Sequence, residues 1–201
     1  MFRHGNITLR ERAIAESLFW NLISRISRMK KKLKFIPPEL ENLESAIADI
    51  YYCNFSIFQS IPDSWAIDQL FPIMPIHRLN ELPKRNAVIA DITCDCDGKI
   101  DKFIDLHDVS SILPLHKLAD DEDYYIGVFL VGAYQETLGD LHNMFGDTNV
   151  VSIRINGDGT YETTREILGD SVETVLSYVE YDLVEMRTGF ARTVEAAFKD
   201  Q

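Results

Sequence analysis

"NAVIADITCDCDGKIDKFID", residues 86–105, is the stretch that decides the fold of this chain. It begins and ends with segments rich in β-branched and aromatic residues, 86–94 and 99–105, and that composition is typical of strands. A polar turn that ends at Gly98 separates the two segments. The stretch therefore predicts two strands of a β-domain, and the turn between them carries side chains that suggest a function.

The C-terminal half of the chain predicts more strands of the same kind. Residues 124–134, 149–155 and 160–164 are again rich in β-branched and aromatic residues. The segment "NGDG", residues 156–159, is a typical turn of a β-hairpin. From Ser171 onward the apolar residues recur at helical spacing, which predicts one or two terminal helices.

The N-terminal part predicts two helices that form a helical hairpin over residues 1–52. Residues 6 to about 30 follow an amphipathic helical pattern, and Thr8 and Glu11 form a capping box at its start. Two consecutive prolines then predict the opening of a second helix over residues 39–53.

Residues 53–84 combine aromatic side chains with four prolines. Neither a helix nor a central strand accommodates that composition, so we predict an irregular segment. Its predicted anchors are the aromatic side chains Phe55, Phe58, Trp65 and Phe71. Such an apolar segment packs either against a partner domain or subunit, or against its own domain.

The predicted fold class is α+β with mainly antiparallel strands. With 201 residues the chain is long enough to bury one good core or two small ones. We divide it into four parts: the helical hairpin 1–52, the irregular segment 53–84, the β-domain 85–169 and the terminal helices 170–201.

The composition argues against several classes of partner. A formal net charge of −12 argues against nucleic acid and against an anionic membrane surface, and it is compatible with a cationic ligand. No apolar run is long enough to span a bilayer, and the N-terminus lacks the apolar core of a signal peptide. Three cysteines, a small and odd number, favour a reducing compartment. We therefore expect a soluble cytoplasmic protein.

The turn at residues 91–101 places two thiols, Cys94 and Cys96, among four aspartates. An EF-hand calcium loop does not fit, because Thr93 and Ile104 occupy its first and last ligand positions. A zinc site would need further soft ligands close by. A disulfide between the two cysteines would be strained at this spacing. The sequence therefore shows no metal site in this turn.

Carboxylates beside a cysteine disfavour its thiolate, so we expect Cys94 to remain a protonated thiol rather than a nucleophile. Such a thiol can give a proton to a carbanion. Carboxylates such as Asp95 and Asp97 can accept two parallel hydrogen bonds from a guanidinium. The alternative for all three residues is an ordinary polar surface turn.

A second stretch with functional potential runs from residue 127 to residue 149. Gly132 lets the backbone approach a ligand closely just before Tyr134, and the phenol there can hydrogen-bond a phosphate oxygen. The alternative is a tyrosine at the end of a strand. His142 and Asn143 leave the same choice open between a site and a capped polar loop.

Six segments together carry a resemblance to a known family. They are residues 6–13, 54–79, 91–101, 113–116, 124–149 and 158–160. In these segments, which follow the family order and cover nearly the whole chain, the sequence resembles the C-terminal portion of the biosynthetic arginine decarboxylases. These are pyridoxal-phosphate enzymes of the alanine-racemase-like fold type.

The resemblance implies an activity and roles for the candidate residues. It implies conversion of L-arginine to agmatine and carbon dioxide, for polyamine and spermidine biosynthesis, with pyridoxal phosphate as electron sink. Cys94 is similar to the cysteine that protonates the decarboxylated substrate. Asp95 and Asp97 match positions expected to face the guanidinium, and Tyr134 matches the tyrosine expected to contact the cofactor phosphate.

The resemblance further implies a β/α barrel that carries the Schiff-base lysine, and a C-terminal β-domain of partial barrel or sandwich type. The implied active site lies at the dimer interface of a homo-oligomer. We find no barrel, no lysine in its family context and no glycine-rich phosphate loop in this sequence. We therefore interpret the chain as a fragment that is inactive alone, or alternatively as a non-catalytic β-domain retained for binding or assembly.

Two further points follow from the resemblance. Cys96 stands where the family more often has serine, so we expect no role for it. Family membership also suggests Mg²⁺, for which the sequence shows no site.

Overall fold

The computed structural model describes residues 1–30, 32–37, 40, 43–106 and 108–199. Its helices are α1 (Leu9–Lys30), α2 (Leu43–Ala46), α3 (Ile57–Ser60), α4 (Pro62–Ala66), α5 (Ala133–Leu138), α6 (Val172–Tyr178) and α7 (Leu183–Lys199). Its strands are β1 (Asp49–Tyr52), β2 (Ile73–Pro75), β3 (Arg85–Ala90), β4 (Lys99–Ile100), β5 (Phe103–Ile104), β6 (Val109–Ser110), β7 (Leu113–Leu115), β8 (Ile126–Val128), β9 (Val150–Ile155) and β10 (Tyr161–Ile167). Short 3-10 turns occur at Phe2–His4 and His142–Met144.

Helix α1 begins with the predicted capping box. The backbone N–H of Thr8 donates to Glu11 Oε2 at 2.7 Å, and the backbone N–H of Glu11 donates to Thr8 Oγ1 at 3.3 Å. The hydrogen bonds from Thr8 hold the pKa of the Glu11 carboxyl below its ordinary value. Farther along, Leu9, Leu18 and Leu22 are 70%, 65% and 57% exposed. The apolar stripe of the helix therefore lies on the surface of this chain.

The predicted second helix is wrong over much of its length. Helix α2 has four residues, and Asp49–Tyr52, which we expected to be helical, form strand β1 and run parallel to β3. Tyr51 is buried, and its hydroxyl donates to the carbonyl oxygen of His116 at 2.7 Å. Pairing with β3 and burial of Tyr51 favour the strand over a helix. Positions 38, 39, 41 and 42, near the predicted start of that helix, lie outside the described residues.

Strand β3 is the centre of the main sheet. It pairs in parallel with β1 and antiparallel with both β4 and β7. Ala87 and Ile89 of β3 are buried together with Ile57 and Leu115, and these residues belong to the hydrophobic core. The quoted stretch therefore supplies the central strand, and the loop that follows β3 is anchored directly to the core.

The predicted irregular segment contains α3, α4 and β2, and it packs against its own domain. Helix α3 buries Ile57 and Phe58 in the core, Phe71 is also buried, and Phe55 packs partly buried against the same cluster. Trp65 is 51% exposed, and it contacts the edge of this cluster: its ring packs edge-on against Phe58 at 5.1 Å, and its Nε1 donates to Asp97 Oδ2 at 3.3 Å.

The remaining sheets pair β2 with β8, β5 with β6 and β9 with β10, all antiparallel. The predicted hairpin turn joins β9 to β10, where Gly159 has a φ of 84°, a conformation that favours glycine. Residues 124–134, predicted to be one strand, form only β8 before α5 begins at Ala133. The strands in the described ranges form no closed barrel, so this part of the chain is an α+β arrangement of small sheets.

The predicted terminal helices are present as α6 and α7. The Ser171 side chain caps α6 by accepting a hydrogen bond from the backbone N–H of Thr174, and Val175 is the buried residue of that helix. Within the described ranges, no helix combines the length and apolar composition that a membrane span requires.

Candidate functional site

The predicted proton donor and both predicted substrate carboxylates lie on the loop 91–98, which joins β3 to β4. Asp91 fixes this loop: it is 3% exposed, and its Oδ2 accepts a hydrogen bond from the backbone N–H of Ile57 at 2.9 Å. Its Oδ1 accepts from the backbone N–H and the hydroxyl of Thr93, at 2.9 and 2.7 Å. The backbone N–H of Asp91 donates to the carbonyl oxygen of Gly98 at 2.8 Å. Asp91 is therefore the structural anchor of the loop.

Cys94 is exposed on this loop, and its Sγ accepts a hydrogen bond from Asn143 Nδ2 at 3.0 Å. Asn143 lies in the 3-10 turn His142–Met144 and has a left-handed backbone with a φ of 58°. Cys96 is also exposed, but in the part of the chain that the structure describes no hydrogen bond reaches its side chain. The amide of Asn143 thus distinguishes the two thiols.

Asp95 and Asp97 share the loop but have different neighbours. Asp95 Oδ2 lies 3.9 Å from His142 Nε2, next to the turn that also reaches Cys94. Asp97 Oδ2 accepts a hydrogen bond from Trp65 Nε1 at 3.3 Å and borders a cavity of about 270 Å³. The structure therefore groups Asp95 with Cys94 at the 142–144 turn, and it places Asp97 beside α4.

Contacts between aromatic rings connect the turn to the core. The ring centroid of His142 lies 4.3 Å from that of Phe58, and Phe58 packs edge-on against Trp65 at 5.1 Å. Nε2 of His142 is buried and, among the described residues, has no hydrogen-bond partner. The sequence leaves two interpretations of His142 and Asn143 open, a site or a capped polar loop, and the structure places these residues beside Asp95 and Cys94. The resemblance of residues 124–149 to the family is the sequence feature that could have identified His142 and Asn143 as site residues.

Tyr134, the predicted phosphate contact, lies on α5. The adjacent Gln135 is buried and fixes this helix to Asp63: the backbone N–H of Asp63 donates to Gln135 Oε1 at 3.1 Å, and Gln135 Nε2 donates to Asp63 Oδ2 at 2.7 Å. Tyr134 itself is 68% exposed, and within the described ranges its hydroxyl makes no hydrogen bond. Helix α5 leads into the turn that holds Asn143, but within the described ranges no hydrogen bond, ion pair or ring contact joins Tyr134 to the Cys94 loop.

Cys53 has a different environment from the two loop thiols. It is half-buried, and burial raises the pKa of its thiol. It borders a second cavity, of about 800 Å³, together with Tyr51 and Tyr124. Across the described ranges, no group of three or more His, Cys, Asp or Glu side chains is arranged to hold a metal ion.

Comparison with known proteins gives one consistent family. Residues 1–44 match the family described as the arginine decarboxylase helical bundle domain. The biosynthetic arginine decarboxylase of Gloeobacter violaceus is 51% identical over 205 residues, which cover 100% of this chain and 32% of that protein. The corresponding protein of Thermosynechococcus vestitus is 55% identical over 181 residues, which cover 90% of this chain and 28% of that protein.

A solved structure agrees with the sequence comparisons. The crystal structure of the biosynthetic arginine decarboxylase SpeA from Campylobacter jejuni superposes with a TM-score of 0.64 at 42% identity, over 73% of this chain and 24% of that one. The chain spans about 30% of the length of the curated relatives that it matches. Over that span, it is homologous to the biosynthetic arginine decarboxylases.

Proposed function

We propose that the chain forms the C-terminal portion of a biosynthetic arginine decarboxylase, which converts L-arginine to agmatine and carbon dioxide for polyamine biosynthesis. The observation that carries this proposal is the loop 91–98, which presents an exposed thiol, Cys94, beside Asp95 and Asp97. Support comes from relatives of that name that are about half identical over the aligned span. The net charge of −12 also suits a substrate with a cationic side chain.

In this proposal Cys94 supplies the proton that replaces the substrate carboxylate. The S–H bond breaks, its electron pair stays on Sγ, and a C–H bond forms at the α-carbon. The loop backbone is fixed by Asp91 and Gly98, so the sulfur has a defined position. Exposure of Cys94 in this chain is consistent with a site that another part of the protein completes at the dimer interface of a homo-oligomer.

Asp95 and Asp97 bind the guanidinium of the substrate. A carboxylate accepts two parallel hydrogen bonds from a guanidinium, and an ammonium lacks that fork. Each carboxylate has one engaged oxygen: Asp95 Oδ1 accepts from the backbone N–H of Asp97 at 3.0 Å, and Asp97 Oδ2 accepts from Trp65 Nε1. Only Asp95 lies beside the 142–144 turn that also contacts Cys94. We therefore assign the larger share of guanidinium binding to Asp95.

Tyr134 fits a contact with the phosphate of pyridoxal phosphate. Its exposed phenol carries a hydrogen-bond donor, and a Cβ added at the nearby Gly132 would meet nothing within 4 Å, so the approach is open. When bound, pyridoxal phosphate supplies the electron sink for the pair that carbon dioxide leaves behind. We assign the Schiff-base lysine to the β/α barrel, outside this sequence, and expect this chain alone to be inactive.

The decisive experiment measures release of labelled carbon dioxide from L-arginine by the full-length protein that contains this chain. Cys94→Ala is expected to lower kcat by about 100-fold or more, because general acid catalysis contributes at least that much. Cys96→Ala is the matched control, since Cys96 is equally a loop thiol, and it should keep kcat within about two-fold. A larger loss at position 96 than at position 94 would overturn the assignment.

Two further measurements test other parts of the proposal. The isolated chain, supplied with pyridoxal phosphate and labelled arginine, should release no carbon dioxide above background. Activity of the isolated chain would show that the barrel is not required. A full-length protein that releases none would refute the decarboxylase and leave a binding or assembly module.

A further inference from the structure

We infer that Asn143 is a positioning residue for proton donation: its side-chain amide holds the Cys94 sulfur in place and stabilises the charge that the sulfur acquires. This inference rests on the proposed function and deepens it, because it names a residue that acts through the proton donor. Asn143 itself need not touch the substrate or the cofactor.

The hydrogen bond from Asn143 to Cys94 is the basis of the inference. Nδ2 of Asn143 lies 3.0 Å from Sγ of Cys94, between residues that are 49 positions apart in the chain. An N–H donor directed at sulfur stabilises the thiolate more than the thiol, because the bond is stronger when the acceptor carries a negative charge. The amide is therefore suited to stabilise the charge that the sulfur acquires when its proton leaves.

The turn that holds Asn143 is built to fix the direction of its amide. The backbone N–H of Asp140 donates to the carbonyl oxygen of Phe58 at 3.0 Å, and that of Met144 donates to the carbonyl oxygen of Leu141 at 2.9 Å. The ring of His142 packs on Phe58, which belongs to the core. Asparagine tolerates the left-handed backbone found at position 143 better than most residues do.

The same hydrogen bond is not needed to hold the loop together. Asp91 and Gly98 already fix the backbone of the loop, through hydrogen bonds that do not involve Asn143. Both Cys94 and the Asn143 amide are at the surface in this chain, so neither would be left as an unpaired buried polar group. Loss of the amide should therefore affect chemistry at the sulfur more than folding.

The proton transfer defines what the amide contributes. As the Cys94 proton moves to the substrate α-carbon, the electron pair of the S–H bond remains on Sγ, and the N–H of Asn143 donates to the resulting thiolate. A proton from water then restores the thiol before the next turnover. Without the donor, the thiolate is less stable and the transfer is slower.

Two substitutions at position 143, made in the full-length protein, distinguish the effect of the side-chain amide from the effect of the left-handed backbone. Asn143→Asp keeps the size of the side chain and tolerates the left-handed backbone, but it replaces the N–H donor by a carboxylate oxygen. Asn143→Gly removes the side chain and accepts the same backbone. Either variant is expected to lower kcat for L-arginine by about ten-fold or more, with KM within about two-fold. The solvent deuterium isotope effect on kcat should also rise, because proton transfer becomes more rate-limiting.

A second readout does not depend on turnover. In a Cys96→Ala background, alkylation of Cys94 by iodoacetamide at fixed pH should slow on the order of ten-fold in Asn143→Asp and also in Asn143→Gly, because the thiolate is the reactive form. The glycine variant removes the N–H donor without adding a negative charge beside the sulfur. Asn156→Asp is the matched control: Asn156 also donates a side-chain N–H, to Thr160 Oγ1 at 3.0 Å, but in the β9–β10 turn. That control should leave both turnover and alkylation within about two-fold.

The outcomes separate this inference from the proposed function. If the wild-type protein turns over arginine and Cys94→Ala does not, an Asn143→Asp variant with normal kcat and normal alkylation overturns the inference. If the wild-type protein releases no carbon dioxide, the proposed function fails, and the alkylation rate of Asn143→Gly alone decides whether the amide acts on the sulfur. Melting temperatures of both position-143 variants within a few degrees of wild type would exclude misfolding as the cause.

Discussion

Gly98 lies against the carboxylate of Asp91, and this close approach shapes the loop that carries Cys94. A Cβ added at Gly98 would stand 2.6 Å from Cγ of Asp91 and 2.6 Å from Oγ1 of Thr93. Both groups are held by hydrogen bonds, from Ile57 to Asp91 and between Asp91 and Thr93, so neither can move aside freely. Close packing, rather than an unusual backbone conformation, therefore requires glycine at this position.

Gly98→Ala is expected to lower the free energy of unfolding by about 1–3 kcal/mol, because the added methyl forces the Asp91 anchor out of place. Urea denaturation followed by circular dichroism measures the change. Gly157→Ala is the control, since a Cβ at Gly157 would meet nothing within 4 Å, and it should stay within about 0.5 kcal/mol of wild type. Equal losses at the two positions would contradict the packing explanation.

The stability of α1 should depend on pH through Glu11. Hydrogen bonds from Thr8 hold the Glu11 pKa below its ordinary value of 4.5. A carboxyl with a lowered pKa in the folded state adds stability that is present above its unfolded pKa and is lost as pH falls through its folded pKa. Glu11→Gln keeps a capping box but does not titrate. Between about pH 5 and pH 3 the melting temperature should fall more steeply for wild type than for the variant; parallel curves would contradict the capping role.

Burial should make Cys53 slow to react in the folded protein. Burial raises the pKa of its thiol, so little of the reactive thiolate forms near neutral pH. At pH 8 the Cys53 peptide should be alkylated at least about ten-fold faster in urea than in buffer. Cys96, which is exposed in the folded chain, provides the internal control and should change much less. A similar change at both cysteines would show that the urea effect is not due to burial.

The features that the sequence predicts correctly depend on local signals. The capping box of Thr8 and Glu11 lies within four residues, and the turn at 156–159 carries its own conformational preference. The strand β3 is evident from its β-branched residues. In each case the residues that decide the structure are neighbours in the chain, so a single sequence contains the relevant information.

The features that the sequence could not predict depend on distant contacts. The residues before Asp49–Tyr52 favour a helix, and pairing with the distant β3 makes this segment a strand. The resemblance pointed to Cys94 and Asp95, yet the Asn143 amide reaches Cys94 across 49 positions, and Trp65 reaches Asp97 across 32. No local pattern distinguishes these partners from surface side chains.

Asp95 should select arginine over ornithine more strongly than Asp97 does. Asn at either position keeps the shape of the side chain and removes its charge, so a guanidinium loses one charge-assisted pair worth about 2 kcal/mol. For Asp95→Asn in the full-length enzyme, the ratio of kcat/KM for arginine to that for ornithine should fall by about thirty-fold. Asp97→Asn should reduce the ratio less, because Asp97 lies beside α4, whereas Asp95 shares the 142–144 turn with Cys94.

Asp101→Asn is the matched control for this prediction. Asp101 is an aspartate just beyond the same loop. Its Oδ2 forms an ion pair with Lys99 Nζ at 2.7 Å, so its charge already has a partner within the protein. The substitution should leave the arginine-to-ornithine ratio within about two-fold. If Asp95→Asn lowers kcat/KM equally for both substrates, the Asp95 carboxylate supports catalysis or folding but does not recognise the guanidinium. If Asp101→Asn changes the ratio as much as Asp95→Asn does, the selectivity comes from the overall negative charge of the region. A pair of parallel hydrogen bonds from the guanidinium would be sensitive only to the carboxylate that accepts them.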